Sequence, residues 1–229
     1  MRVFIRYELQ EPTKLSILLF FSVLVSAAHK VFLLKQVGQV LSTYPLFPLP
    51  ELFVDMARLN TPFYVLASLM ASFIVGISAR TERDLGVALS IYALPYSRRA
   101  ILTAKFFSNF LLLVMYSLAI HILVFILHFS GTLEGALEAL TAGIPSLIPL
   151  YAVVMCYIVS ISSFIAISSP NTYVAILASF LALYFPVLAN IGWLVPTIGT
   201  DLNALKTPAF LSVIFFIAYI LMGERRDVR

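Results

Sequence analysis

The chain has 229 residues, of which 61% are hydrophobic and 11% charged, and its formal net charge is +4. A soluble domain of ordinary composition carries about 25% charged residues. A chain this apolar has no polar face left to show to water, which argues against a soluble enzyme or nucleic-acid-binding module and points to an all-α integral membrane protein. The length suits one transmembrane domain over 1–229 and leaves no room for a soluble catalytic domain of normal size.

The N-terminal stretch 2–11 is short and two-sided. Phe4, Ile5 and Leu9 are apolar, whereas Arg2, Arg6 and Gln10 recur at i,i+4 spacing. Such a pattern predicts an interfacial helix, basic on one stripe, lying on the inner leaflet. Pro12 then turns the chain into the bilayer.

A spanning helix needs about 20 mostly apolar residues. Six runs meet or approach that length: 15–34, 63–79, 106–129, 144–167, 173–192 and 208–223. The first passes into His29-Lys30 without a small-residue cleavage site, so it reads as a retained helix rather than a leader. Lys30 can snorkel to the headgroups. The fourth and fifth runs are divided only by Ser168-Ser169-Pro170-Asn171, an uncharged turn. Without that turn a single apolar stretch of about 50 residues would result, far beyond what a bilayer needs.

The links differ in character. Residues 36–61 contain Pro45, Pro48 and Pro50, followed by a predicted short helix from Glu51 to Leu59. Residues 130–143 carry Glu134 and Glu138 at i,i+4, which predicts a short surface helix. The stretch 186–207 is semi-apolar and broken by Gly192, Pro196 and Gly199. Backbone of that kind survives at membrane depth only when buried in protein or lining a cavity.

The fifteen Lys and Arg residues set the orientation. With the N-terminus inside, eleven fall in cytoplasmic segments, and Lys30, Lys35, Arg58 and Lys206 fall outside. That bias predicts a multi-pass plasma-membrane protein with both termini cytoplasmic.

The link between the second and third runs carries the most information. It begins Arg80-Thr81-Glu82-Arg83-Asp84-Leu85-Gly86 and ends Leu94-Pro95-Tyr96-Ser97-Arg98-Arg99. Thr81 with Asp84 three residues on predicts a capped helix start. The helix, about 82–93, would show Leu85, Leu89 and Tyr92 on one face. Pro95 ends it, and Ser97 caps the next helix. Its bland reading is an ordinary basic loop that anchors topology.

An acidic-basic cluster, a glycine, a small apolar helix, then Leu-Pro, Ser-Arg and a downstream lysine resemble the ABC-2 permease family. The residues that carry the likeness are Glu82, Gly86, Leu94, Pro95, Ser97, Arg98 and Lys105. Six spans, the amphipathic start and the irregular outer segment before the last span are similar to that family in layout. The resemblance implies a membrane subunit of an ATP-binding cassette exporter, working beside a second copy or related permease. Two cytoplasmic ATPase subunits would bind ATP and magnesium, and this chain would hold no cofactor. Residues 82–93 would be the coupling helix, with Glu82, Arg83, Asp84, Leu85, Gly86, Leu89, Pro95 and Arg98 facing the ATPase. The rival from another class is a membrane anchor or assembly subunit that transports nothing.

The remaining features carry less. There is no G-x-x-x-x-G-K-[ST] loop, no H-E-x-x-H and no cysteine pair. Nor do acids occupy the centres of the six runs, as proton-coupled transport would require. His121 and His128 share a helix face but stand about 10.5 Å apart, too far to hold one ion from one helix. Packing is the simpler reading for them, for Cys156, and for the back-bonding serines Ser160, Ser162, Ser163 and Ser168. Ala67, Ser68, Ala71, Ser72 and Gly76 make a small-residue face suited to close helix contact.

Overall fold

In a computed structural model, residues 11–43, 50, 53–54, 61–86, 96–128, 133–195 and 205–225 are described. Among these, all regular structure is helical, with no strand. We label the long helices α1 (Pro12–Thr43), α2 (Thr61–Gly76), α3 (Arg98–His128), α4 (Leu133–Ser168), α5 (Thr172–Leu188) and α6 (Lys206–Arg225). α2 continues without a break through a π-helical turn, Ile77–Thr81, into a last α-helical turn, Glu82–Asp84. Four stretches are long and apolar enough to cross a membrane: Thr61–Thr81, Arg98–Leu127, Glu134–Ser168 and Lys206–Arg225. The chain is therefore a helical membrane protein. Pro12–Ala27 and Thr172–Leu188 are shorter apolar helices.

α4 is the centre of the bundle. Its residues from Tyr157 to Ser163 are all buried, so this stretch is enclosed on every side. Serine suits such a position because its hydroxyl can return to the backbone one turn back. Ser160 Oγ donates to the Cys156 carbonyl at 2.6 Å in this way; at the exposed end of α4, Ser168 Oγ bonds likewise to that of Phe164 at 2.8 Å. α6 meets α4 through Phe164 and Phe215, whose ring centres are 5.4 Å apart. α6 meets α3 through Phe106 and Phe216 at 4.5 Å. α1 is held to α3 by Tyr116, whose hydroxyl donates to the Leu18 carbonyl at 3.0 Å.

The small-residue face of α2 is buried within the chain. Ala67, Ser68, Ala71, Ser72 and Gly76 all lie inside the bundle. Gly76 touches α5 so closely that a Cβ there would sit 2.7 Å from Ile176 Cγ1. Farther along the pair, Tyr64 OH donates to the Leu183 carbonyl at 3.2 Å.

Three expectations change. Glu82–Asp84 closes the helix that begins at Thr61; it does not open a new one. Gly86, at φ 73°, takes the left-handed conformation that ends a helix and that glycine adopts without steric cost. The predicted capped helix start at Thr81 is thereby corrected, while 87–95, with Leu89 and Pro95, lie outside the described residues. The link 130–143 is not a separate surface helix from Leu133 onward, because α4 runs unbroken from Leu133 through Pro145 and Pro149. Neighbouring helices can re-satisfy the backbone groups that proline frees, which lets a membrane helix continue past it. At about 1.5 Å per residue α4 is roughly 54 Å long, so its acidic first turns extend past a bilayer core of about 30 Å. Lastly, α5 ends at Leu188, and a turn with Asn190 at φ 53° leads into the 3-10 turn Gly192–Leu194. The interfacial stretch with Arg2, Phe4, Arg6 and Leu9 lies outside the described residues.

Candidate functional site

Charged residues gather at the end of the bundle where α2 and α4 finish and α3 and α5 begin. The chain folds there for local reasons. Ser97 Oγ accepts from the Ala100 N–H at 3.2 Å and caps α3, as its place in the sequence predicts. Asn171 caps α5, its Oδ1 accepting from the Val174 N–H at 2.9 Å. The turn between α4 and α5 is thus uncharged but internally bonded.

Two ion pairs secure the tail of α2. Arg80 is buried, pairs with Asp84 at 3.5 Å and donates to the carbonyl of Pro170. Lys105, on the second turn of α3 and also buried, donates to the Ser78 carbonyl at 2.8 Å and pairs with Glu82. Ser78 lies inside the π-helical turn. π turns leave the regular i→i−4 ladder, and here a lysine from another helix reaches one of the carbonyls.

Asp84 also reaches α5. Its Oδ2 accepts from the Thr172 N–H at 2.7 Å and from the Thr172 hydroxyl at 2.6 Å. Burial pushes the pKa of this carboxyl up, but the two Thr172 hydrogen bonds and the Arg80 charge outweigh it. The net effect holds the carboxylate below its ordinary value. A third ion pair joins Arg99 to Glu224, so α3 and α6 are fastened at the same end. Arg98 Nη1 donates weakly to the Glu224 carbonyl, at 3.4 Å.

The predicted docking residues therefore divide. The carboxylates of the half-buried Glu82 and the exposed Asp84 are taken up by Lys105, Arg80 and Thr172. Leu85, Gly86 and Arg98 are exposed. The Arg83 side chain lies outside the described residues. Sequence reasoning missed Arg80 and Thr172 as partners of Asp84, and Glu224 as the partner of Arg99. The i,i+4 spacing of Arg80 and Asp84 was the visible signal for the first pair.

Among the described residues, the acids of this cluster are matched to basic groups, and Asp84 also to the Thr172 hydroxyl. Among the described residues no group of three or more His, Cys, Asp or Glu could hold a metal ion. At the far end, His121 Nε2 is 3.0 Å from the Phe53 carbonyl, with the Phe53 and Tyr151 rings at 4.9 and 6.0 Å. That arrangement fits the packing reading of His121; the His128 side chain lies outside the described residues. The polar end is thus a mechanical fastening of α2, α3, α5 and α6, with an exposed leucine at its edge. No known family model matches the chain, and no curated protein matches it.

Proposed function

We propose that the chain is the permease subunit of an ATP-binding cassette exporter, with six spans and both termini in the cytoplasm. The four long apolar helices supply four spans. α1, at 32 residues, measures about 48 Å and is long enough to be a fifth. α5, with 17 residues, is about 25 Å and is the shortest of the six once the π turn is counted with α2, whose span Thr61–Thr81 has 21 residues. The second permease would be another copy or a related chain, and ATP with magnesium would bind the separate ATPase.

One observation carries this reading. The exposed Leu85 and the link beyond it leave a helix end that ion pairs and hydrogen bonds fasten to α3 and α5. A push received at such a link is delivered to several helices at once, which a drive shared between subunits requires. Lys and Arg bias supports the cytoplasmic placement of this end.

The test is purification from native membranes. The expected result is a complex with a chain that carries a Walker A loop and hydrolyses ATP. Leu85→Asp, alone or with Leu89→Asp, should release that ATPase while the permease still inserts and stays monodisperse. Deletion of 81–93 is a poorer test, because it also removes Glu82 and Asp84 from their partners. A native complex without any P-loop ATPase overturns the proposal. It would favour the anchor or assembly subunit, a role that an end so fully occupied by internal ion pairs would also suit.

A further inference from the structure

The first N–H groups of a helix have no partner within it. α5 meets this need in two ways. Asn171 supplies the local cap, to Val174. Asp84 supplies a second from 88 residues earlier, to the Thr172 N–H and hydroxyl. Arg80 holds Asp84 and also grips the Pro170 carbonyl. One arginine and one carboxylate from the tail of α2 therefore hold both sides of the α4–α5 turn.

The position of Asp84 gives this cap a direction. It is the last α-helical residue before Leu85 and the left-handed Gly86. A pull on the link is felt first by the residue that caps α5. The two helices also meet at Gly76 with Ile176 and at Tyr64 with Leu183. They are thus joined at three levels, although no short loop connects them.

We propose that Asp84 is a cross-helix cap that fastens the start of α5 to the end of α2, so that displacement of the link beyond Leu85 moves α2 and α5 as one body. Its consequence for transport rests on the permease reading: the stroke of the ATPase then reaches the membrane through α5 as well as through the two helices the link directly joins. Asp84 is in this sense a positioning residue.

Hydrogen exchange with mass spectrometry on the full chain in lipid nanodiscs tests the cap without any partner. Asp84→Ala should speed exchange over the first turn of α5 about five-fold, the effect of losing an ordinary cap. Thr172→Val, which keeps its N–H, should give a smaller rise, and the double variant should equal Asp84→Ala alone. Asp84→Asn keeps an acceptor oxygen and should fall between wild type and Asp84→Ala, which covers the case in which the alanine variant folds poorly. Asn171→Ala should add to Asp84→Ala. Unchanged exchange in both Asp84 variants, or fully additive Asp84 and Thr172 effects, overturns the cap.

A second arm uses the complex with its copurified ATPase, with and without ATP. In the wild type ATP should change exchange in α2 and α5 together, and in Asp84→Ala in α2 alone. If both helices still respond in the variant, α5 is not driven through Asp84. If even the wild-type chain has no ATPase and no ATP response, the permease reading fails while the first arm still decides the cap.

Discussion

Lys105 is a cation taken almost wholly out of solvent, and its removal should weaken the fold in a way that a second substitution repairs. Its side chain is 4% exposed and that of its partner Glu82 is 22% exposed. Lys105→Met keeps the length of the stem and deletes the charge. The Ser78 carbonyl in the π turn then loses a donor at 2.8 Å, and Glu82 keeps its charge in a half-enclosed place. Breaking a buried pair by removing one member costs about 3–5 kcal/mol. Solvent around Glu82 screens part of that loss, so about 2–3 kcal/mol is expected. A chain of this size loses roughly 2–4 °C of melting temperature per kcal/mol, which gives a fall of about 4–12 °C. Lys105→Met with Glu82→Gln should recover at least half of it, because no orphaned charge remains. The measurement is the fraction of monodisperse protein after graded heating in detergent. Equal melting of the single and double variants, or a single variant within about 1 °C of wild type, would refute the role given to this pair.

Two further outcomes are expected. Gly76→Ala places a Cβ 2.7 Å from Ile176 Cγ1 and should cost about 1–3 kcal/mol by overpacking. Adding Ile176→Ala removes the obstructing atom, so the double variant should melt above the value that the two single effects predict by addition; simple additivity would show that α2 and α5 do not touch there. The second outcome concerns pH. The folded pKa of Asp84 lies below its ordinary value of about 3.9. Its stabilisation is therefore complete above that value and is lost only as pH falls through the lower, folded one. Exchange over the first turn of α5, corrected for the intrinsic rate, should not change between pH 8 and pH 5, and loosening within that window would contradict the ionised cap.

Much of the helix order was legible, because apolar runs of spanning length leave few alternatives. Helix ends were less so, for a physical reason visible at Thr81. The pattern Thr-x-x-Asp caps a helix only when the chain enters it extended. Here the chain is already helical from Thr61, so Thr81 sits inside a helix and its pattern signals nothing. Gly86 was read as an interior residue of a helix, whereas its positive φ makes it a terminator. Glu134 and Glu138 predict a surface helix of their own, yet they lie in the first turns of α4, which runs on through Pro145 and Pro149. The turn at Ser168 to Asn171 was legible as a turn. What secures it was not, since Arg80 and Asp84 lie about 90 residues away and no local spacing announces them.

The pairing of the acids within the chain bears on what this end could meet. Sequence alone offers a docking face of mixed charge, with Glu82 and Asp84 among its members. In the fold these acids face lysine, arginine and a helix start. Among the described residues, Leu85, Gly86, Tyr96, Ser97, Arg98 and Arg99 are exposed there together with Asp84, whose carboxylate is already engaged, beside the positive N-terminal end of α3. A partner seated on this surface therefore meets a leucine, a tyrosine and two arginines, and its complement is an apolar pocket rimmed by acids. Charge reversal at Glu82 or Asp84 would act on the clamp before it acted on any such partner. For the permease reading this separates two roles that one stretch of sequence holds together: recognition by residues from Leu85 onward, and transmission by the residues just before it.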